Sequence, residues 1–455
     1  MSIVIINPDK TISLNGIKTF PVGLYQMCAS DGDNFESCQA TINKNTFKYG
    51  ADVWHQSASI AGWQAQVNDL TSAGIWWEQT PYGTISTDWR TNNYFLGWRL
   101  EDEPDYAGTP ISTVRSKYNE IKALDKNHPI LLNIAGTEED KYGNKYPSSL
   151  KTWAGIGDIL SWDSYSHKYD ENWIRADAIY AWEQISWQAA FEEYGGNPSN
   201  TFYNVNDVQQ PVWTILQATM NWGYTLTAEE LRTLTYTAIT LDIKGIIYWS
   251  YKGYDDSGSG IINHPGLLNS IKAGNAVLNM YNAQEQELRS LNYVLVSPTV
   301  SFRWDAYKSS NDVSFGTTYL KKMWRLNPLD EEWRTNFNWI LKKDETNGNY
   351  YLIVVNKGNK EVTSSVTISN QNLSGSKKVT FLGNMATGSG ASTANNPSQI
   401  LTAINGVFTD TFDAYAVHIY EIERGTTPLC PSLQIQISMS GAIPSLWTLD
   451  HTPKY

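Results

Sequence analysis

Cysteine is scarce, with three residues, Cys28, Cys38 and Cys430, in a chain of 455. A disulfide framework is therefore excluded as the source of stability; Cys28 and Cys38 are close enough in sequence to pair, and the odd count leaves the redox compartment open. Positive charge is in deficit too, the formal net charge being -12. With no basic face to displace counterions from a phosphate backbone, nucleic acid is not an expected partner. No run approaches the roughly 18 apolar residues that span a bilayer, so no membrane insertion is expected. Residues 1–10 lack a basic segment followed by an apolar one, so the chain reads as soluble without a recognisable signal peptide, cytoplasmic or secreted by another route. The His and carboxylate residues show no metal-ligand spacing such as His-Glu-x-x-His, so no metal is expected. Gly23-Leu24-Tyr25-Gln26-Met27, on the first long strand, offers no nest for a pyrophosphate, and no cofactor is expected.

Aromatic residues are abundant instead, with 19 Trp and 27 Tyr spread along the chain. They fill cores, and they also stack on the apolar faces of sugar rings. Residues 3–6 and 11–14 read as strands around Asn7-Pro8-Asp9-Lys10, with a second turn at Asn15-Gly16. They make an N-terminal β-hairpin, residues 1–19, packed on the domain that begins at residue 20. In that domain eight apolar runs alternate with helical or loop connections: 22–27, 51–57, 75–80, 94–100, 130–135, 158–165, 212–218 and 245–251. Helical periodicity appears at 63–73, 110–124, 172–194, 227–241 and 267–291. Thr227-Ala228-Glu229-Glu230 is a capping box. Eight strands and the missing phosphate loop favour an α/β fold of the (β/α)8 TIM barrel type over residues 20–296, in preference to an open doubly wound sheet. After Ser297-Pro298 the pattern turns to alternating strands between Gly, Asn and Ser turns, an all-β sandwich domain over 297–424. Residues 425–455 form a tail whose apolar run 433–439 is an extra edge strand if it pairs at all.

The stretch Tyr94-Phe-Leu-Gly-Trp-Arg-Leu-Glu-Asp-Glu-Pro104 stands out. An apolar strand ends in Glu101, Asp102 and Glu103, which places acids where an apolar wall meets solvent and where carboxyl pKa values are pushed apart. On a barrel the reactive groups belong at the carboxyl ends of the strands. Those ends carry Tyr25, His55, Glu78, Glu101 to Glu103, Asn133, Asp163, Tyr165, Gln217 and Trp249, a face suited to a neutral, hydroxyl-rich ligand. Carboxylates without metal or phosphate point to glycosidic bond cleavage, which needs one protonated carboxyl and a second carboxylate across the sugar. Glu103 is the expected acid, its proton held by repulsion from its neighbours. Glu101, two residues before it, is expected on the same strand face, to hold or tune it.

Gly97-Trp-Arg-Leu-Glu-Asp-Glu-Pro104 resembles the fourth-strand motif of clan A glycoside hydrolases, whose acid/base Glu precedes Pro; Asp102 stands where that clan usually has Asn. Residues 16–25, Pro211-Val-Trp-Thr-Ile-Leu-Gln217 and 229–251 are similar to barrel glycosidases as well. The resemblance implies a carbohydrate substrate and a hydrolase of O-glycosidic bonds in an oligo- or polysaccharide, with Glu103 as acid/base. It also implies a nucleophilic Glu at the end of strand seven, where this chain has Gln217. The second carboxylate is therefore expected elsewhere, at Asp163 first and Glu78 next. Tyr25, Tyr165, Trp222 and Trp249 would border the sugar, and His55, Glu101, Asp102 and Gln217 would contact it. The alternative is a catalytically inactive glycan-binding or structural protein on the same barrel.

Overall fold

The computed structural model describes residues 2–25, 49–51, 71, 76–79, 87–135, 153, 155–164, 210–217, 228–240, 242–249, 284–303, 320–321, 333–334, 337–356, 361–369, 373, 375–382, 400–413, 416–424 and 434–439. The chain divides into two compact units, Met1–Leu226 with Ile243–Val296, and Thr227–Asp242 with Ser297–Tyr455.

The first unit begins with strands β1 (Val4–Ile6), β2 (Ile12–Leu14) and β3 (Ile17–Thr19) in one antiparallel sheet. Only two strands were expected. Asn15 and Gly16, with φ of 50° and 84°, form a two-residue turn whose twist suits a hairpin, so residues 17–19 fold back with Leu14 opposite Ile17.

Eight strands come next: β4 (Val22–Tyr25), β5 (Tyr49–Ala51), β6 (Trp76–Gln79), β7 (Phe95–Arg99), β8 (Ile130–Ile134), β9 (Ile159–Ser164), β10 (Val212–Gln217) and β11 (Ile246–Trp249). Each pairs in parallel with its successor, and β11 pairs with β4, so the sheet closes on itself. Every residue of β7 and β8 is buried, which is why these segments, Arg99 and Asn133 apart, read as apolar runs without alternation. The second strand already runs at Tyr49, two residues before the 51–57 run expected from the sequence. Tyr49 and Gly50 are in register with both Gly23-Leu24 and Trp76-Trp77, and residues 52–57 of that run lie outside the described residues.

Inside the closed sheet, Trp76, Leu96, Leu131, Ile159, Trp213, Ile215 and Ile247 pack in one cluster with Val4, Ile12 and Leu14. The small N-terminal sheet therefore caps one end of the parallel strands. Ser2 identifies which end: its backbone N–H donates to Asn92 O and its hydroxyl lies 2.8 Å from Phe95 O, at the start of β7. The opposite, carboxyl-terminal end carries the acidic segment. After β7 come a short helix, Pro104–Ala107, and the amphipathic helix Ile111–Leu124, which buries Val114 and Ile121. Residues 284–290 are helical as well.

The second unit contains β12 (Thr299–Arg303), the two-stranded pair β13 (Leu320–Lys321) and β14 (Trp333–Arg334), and then β15 (Phe337–Lys343), β16 (Tyr350–Asn356), β17 (Val362–Ser369), β18 (Ser376–Phe381), β19 (Ile400–Ile404), β20 (Val407–Phe412), β21 (Val417–Ile422) and β22 (Gln434–Met439). Nine of them form an antiparallel sheet in the order β12-β15-β16-β21-β18-β19-β20-β17-β22. Both halves of that sheet feed one core, with Phe337 edge-on to Phe412 at 4.9 Å and Phe408 against Tyr420 at 5.1 Å, so the arrangement is sandwich-like. The tail segment 434–439 is the edge strand, pairing along β17. Helix Ala228–Thr240 belongs to this unit; Arg232 donates to Val417 O at 2.8 Å.

Candidate functional site

Strand β7 ends at Arg99, before the acids. Glu101, Asp102 and Glu103 lie beyond it, and the period-two reasoning that put Glu101 and Glu103 on one strand face does not apply to them. Leu100 is buried and its N–H still bonds Leu131 O, but Glu103 turns into the left-handed region at φ 43°, ψ 51° and becomes the N-cap of helix Pro104–Ala107. Pro104 occupies the first helical turn, where its missing N–H costs nothing. The turn closes compactly: Ala107 N donates to Glu103 O, Thr109 N to Pro104 O, and the Thr109 hydroxyl to Glu101 Oε1 at 3.4 Å. Glu101 and Glu103 are half-buried.

The sequence alone makes Asp102 one of three mutually repelling acids, and its surroundings are different. The guanidinium of Arg99, three residues earlier and buried at 1% exposure, forms an ion pair with Asp102 Oδ1. Asn133 Nδ2 donates to the same oxygen at 3.1 Å, and Asn133 Oδ1 accepts from the Ser161 hydroxyl at 2.9 Å. Because a carboxylate only accepts, the amide of Asn133 must present its nitrogen to Asp102. The chain Arg99, Asp102, Asn133, Ser161 thus runs across three adjacent strands, β7, β8 and β9. It also explains why an acid stands at 102: two donors converge there, one of them a buried cation that needs a counter-charge.

Asp105 is the residue that sequence reasoning missed. It is fully buried, and its Oδ1 accepts the backbone N–H of Ala135 at 3.0 Å, just past the end of β8. Arg99 was also missed, although a cation inside an apolar strand run was a visible signal; Asp105 had none beyond its place after Glu103-Pro104.

The other expected site residues divide into two groups. Glu78, Asp163, Tyr25, Gln217 and Trp249 sit on strands, with Glu78 in register with Gly97, Asp163 with Ile215, Gln217 with Trp249 and Tyr25 with Ala51. His55, Tyr165 and Trp222 lie outside the described residues. Among the described residues no group of three or more His, Cys, Asp or Glu is placed to hold a metal ion, and no helix is long and apolar enough to cross a membrane.

A second constellation sits at the opposite end of the strands. Ser2 Oγ lies 3.0 Å from His128 Nε2, and His128 Nδ1 lies 2.8 Å from Asp125 Oδ2, the connectivity of a hydrolytic triad. All three residues are buried, and Ser2 Oγ is also within bonding distance of Asn92 O and Phe95 O. A nucleophile needs access and donors for an oxyanion, and here the neighbours are carbonyl acceptors. This group is an anchor for the N-terminal segment.

The described strands form a closed parallel sheet joined in one chain to an antiparallel β unit. Among solved structures, the chain is similar to an alpha-amylase from Geobacillus thermoleovorans complexed with acarbose, at 10% identity and a TM-score of 0.51, covering 90% of this chain and 100% of that one. A family 51 alpha-L-arabinofuranosidase from Bifidobacterium longum aligns over 93% of this chain and 97% of its own, at 10% identity and a TM-score of 0.48. No family model and no curated protein matches the sequence. At these identities the likeness is one of fold.

Proposed function

We propose that the chain is a glycoside hydrolase on a (β/α)8 TIM barrel spanning 20–296, preceded by a small β element at 1–19 and followed by a β-sandwich at 297–424 and a tail at 425–455. Glu103 is its acid/base. The observation that carries the reading is the position of Glu103, immediately beyond the carboxyl end of β7, in a turn bonded to the adjacent strand end. Carboxyl ends of parallel barrel strands are where such folds hold their chemistry. The likeness in fold to the amylase supports the same reading.

In this reading the Glu103 carboxyl gives its proton to the glycosidic oxygen as the bond to the anomeric carbon breaks. A second carboxylate then either forms the bond to that carbon or takes a proton from an attacking water. Asp163 and Glu78 are the candidates. Ile159 and Trp76 belong to the interior cluster, and positions 163 and 78 come after them by even steps along β9 and β6, the register that returns to the same strand face. Position 217 comes after Ile215 in the same way and holds an amide, which cannot form a glycosyl ester. Tyr25 and Trp249, with Tyr165 and Trp222, are the proposed borders of a carbohydrate substrate.

The test is hydrolysis of a panel of oligosaccharides by the wild type and by Glu103→Gln, Asp163→Asn and Glu78→Gln. Loss of an acid/base commonly lowers turnover by about 100-fold or more, and turnover unaffected by Glu103→Gln overturns the assignment. Gln217 favours a second reading, a glycan-binding protein without turnover. Saturable binding of an oligosaccharide, with no reducing ends released, would establish that one.

A further inference from the structure

We infer that Asp102 and Asp105 are positioning residues that clamp Glu103 from both sides onto the end of the fifth parallel strand. This inference rests on the reading of Glu103 as the acid, and it adds what holds that acid in place. Glu103 occupies left-handed backbone at φ 43°, a conformation that costs a residue with a Cβ and persists only when its surroundings impose it. Those surroundings are two bonds to β8 and its exit. On the amino side, Asp102 accepts from the Asn133 amide while Arg99 balances its charge. On the carboxyl side, the buried Asp105 accepts the Ala135 N–H.

The two anchors are different in kind. Asp102 is half-exposed and depends on a charge partner, whereas Asp105 is buried and satisfies a backbone donor that has left the strand ladder. Asn133 and Ala135 are two residues apart at the end of one strand, so the pair spans Glu103 as two fixed points on a rigid element. Such points convert a mobile turn into a held geometry, and a displacement of about 1 Å at a catalytic group costs on the order of 100-fold in rate. The acidic run Glu101 to Asp105 therefore divides by role: Glu103 addresses the substrate, and the acids on either side address the protein.

The experiment compares the full chain with Asp105→Ala, Asp105→Asn and Asp102→Ala, by hydrogen exchange and by turnover on whichever oligosaccharide the panel identifies. Asparagine keeps an acceptor oxygen for Ala135 N–H and alanine does not. Asp105→Ala and Asp102→Ala should each speed exchange in residues 101–109 at least about tenfold while β10 and β11 stay protected, and should lower kcat with KM within about twofold. Asp105→Asn should restore most of both. Equal losses in Asp105→Ala and Asp105→Asn, or exchange at 101–109 unchanged by either alanine, would overturn the clamp. If exchange accelerates as expected but Glu103→Gln turns over normally, the clamp stands and the acid assignment falls, so the two readings fail separately.

Discussion

Asp125 shows how one buried side chain fixes an element. Its Oδ2 accepts from Trp98 Nε1 at 2.9 Å and faces His128 Nδ1 at 2.8 Å, while Oδ1 accepts from the N–H groups of Asn127 and His128. Burial alone pushes this carboxyl up, and the bonds from His128, Trp98 and Asn127 outweigh that and hold it at about 2. The folded value lies below the unfolded one, so the carboxylate contributes stability above about pH 4 that is lost as pH falls through about 2, roughly 2 kcal/mol in all. Asp125→Asn points a donor at donors and should cost about 2–4 kcal/mol at neutral pH. In urea unfolding the gap between wild type and variant should narrow steadily from pH 4 to pH 2; a constant gap would show that the charge of Asp125 is not what matters. None of this network was visible in the sequence, because Ser2, Trp98, Asp125 and His128 are brought together only by the strand packing. The acidic turn at 101–103 was legible, since an apolar run ending in acids and proline is a local pattern. The ion pair of Arg99 with Asp102 and the bond of Asp105 to Ala135 N–H were less so, because a residue's partner across a strand end carries no sequence signature.

Among the elements, the parallel strands were the most readable, being apolar runs bounded by turns, and most of their observed bounds fall within a few residues of the runs. What the sequence left out was β3, which arises from an Asn-Gly turn whose second arm is only three residues long, and the first two residues of β5, Tyr49 and Gly50. In the antiparallel unit the alternation of β19 is weak, since it exposes Ile400 and Ile404. Gly97 shows pairing at its tightest. A Cβ there would lie 2.5 Å from Pro129 O, the same oxygen that accepts the Trp98 N–H. Neither backbone can yield without parting β7 from β8, so Gly97→Ala should cost about 2 kcal/mol and lower the melting temperature by about 4–8 °C. Calorimetry checks the value. Because the shift separates Asp102 from Asn133, exchange at residues 101–109 should rise in the same variant, and a variant as stable as wild type would mean the strands have room that the contact distances deny.

For the whole molecule, the chain's own route between units is the informative feature. Strands β10 and β11 are neighbours in the first unit, yet the helix between them, Ala228–Thr240, belongs to the second. Leu231, Leu234, Tyr236, Ala238 and Ile239 are buried, Arg232 bonds Val417 O, and Asp242 accepts from the Thr299 hydroxyl at 2.6 Å with Lys342 at 3.7 Å. Val417, Thr299 and Lys342 all come after residue 296. A boundary drawn from sequence texture at 296/297 therefore cuts the helix from its partners, since texture registers a change of pattern and not which side chains meet. A chain ended at residue 296 should lose protection across 228–240, each re-exposed large apolar side chain costing about 1.5–3 kcal/mol. Among the described residues, ending the chain at residue 424 removes the edge strand β22, which pairs with β17, and it should leave 228–240 protected. Hydrogen exchange on the two truncations and the full chain separates these outcomes. If residues 228–240 are as protected in the 1–296 chain as in the full chain, the helix is held without residues 297–455 and its place in the second unit is wrong.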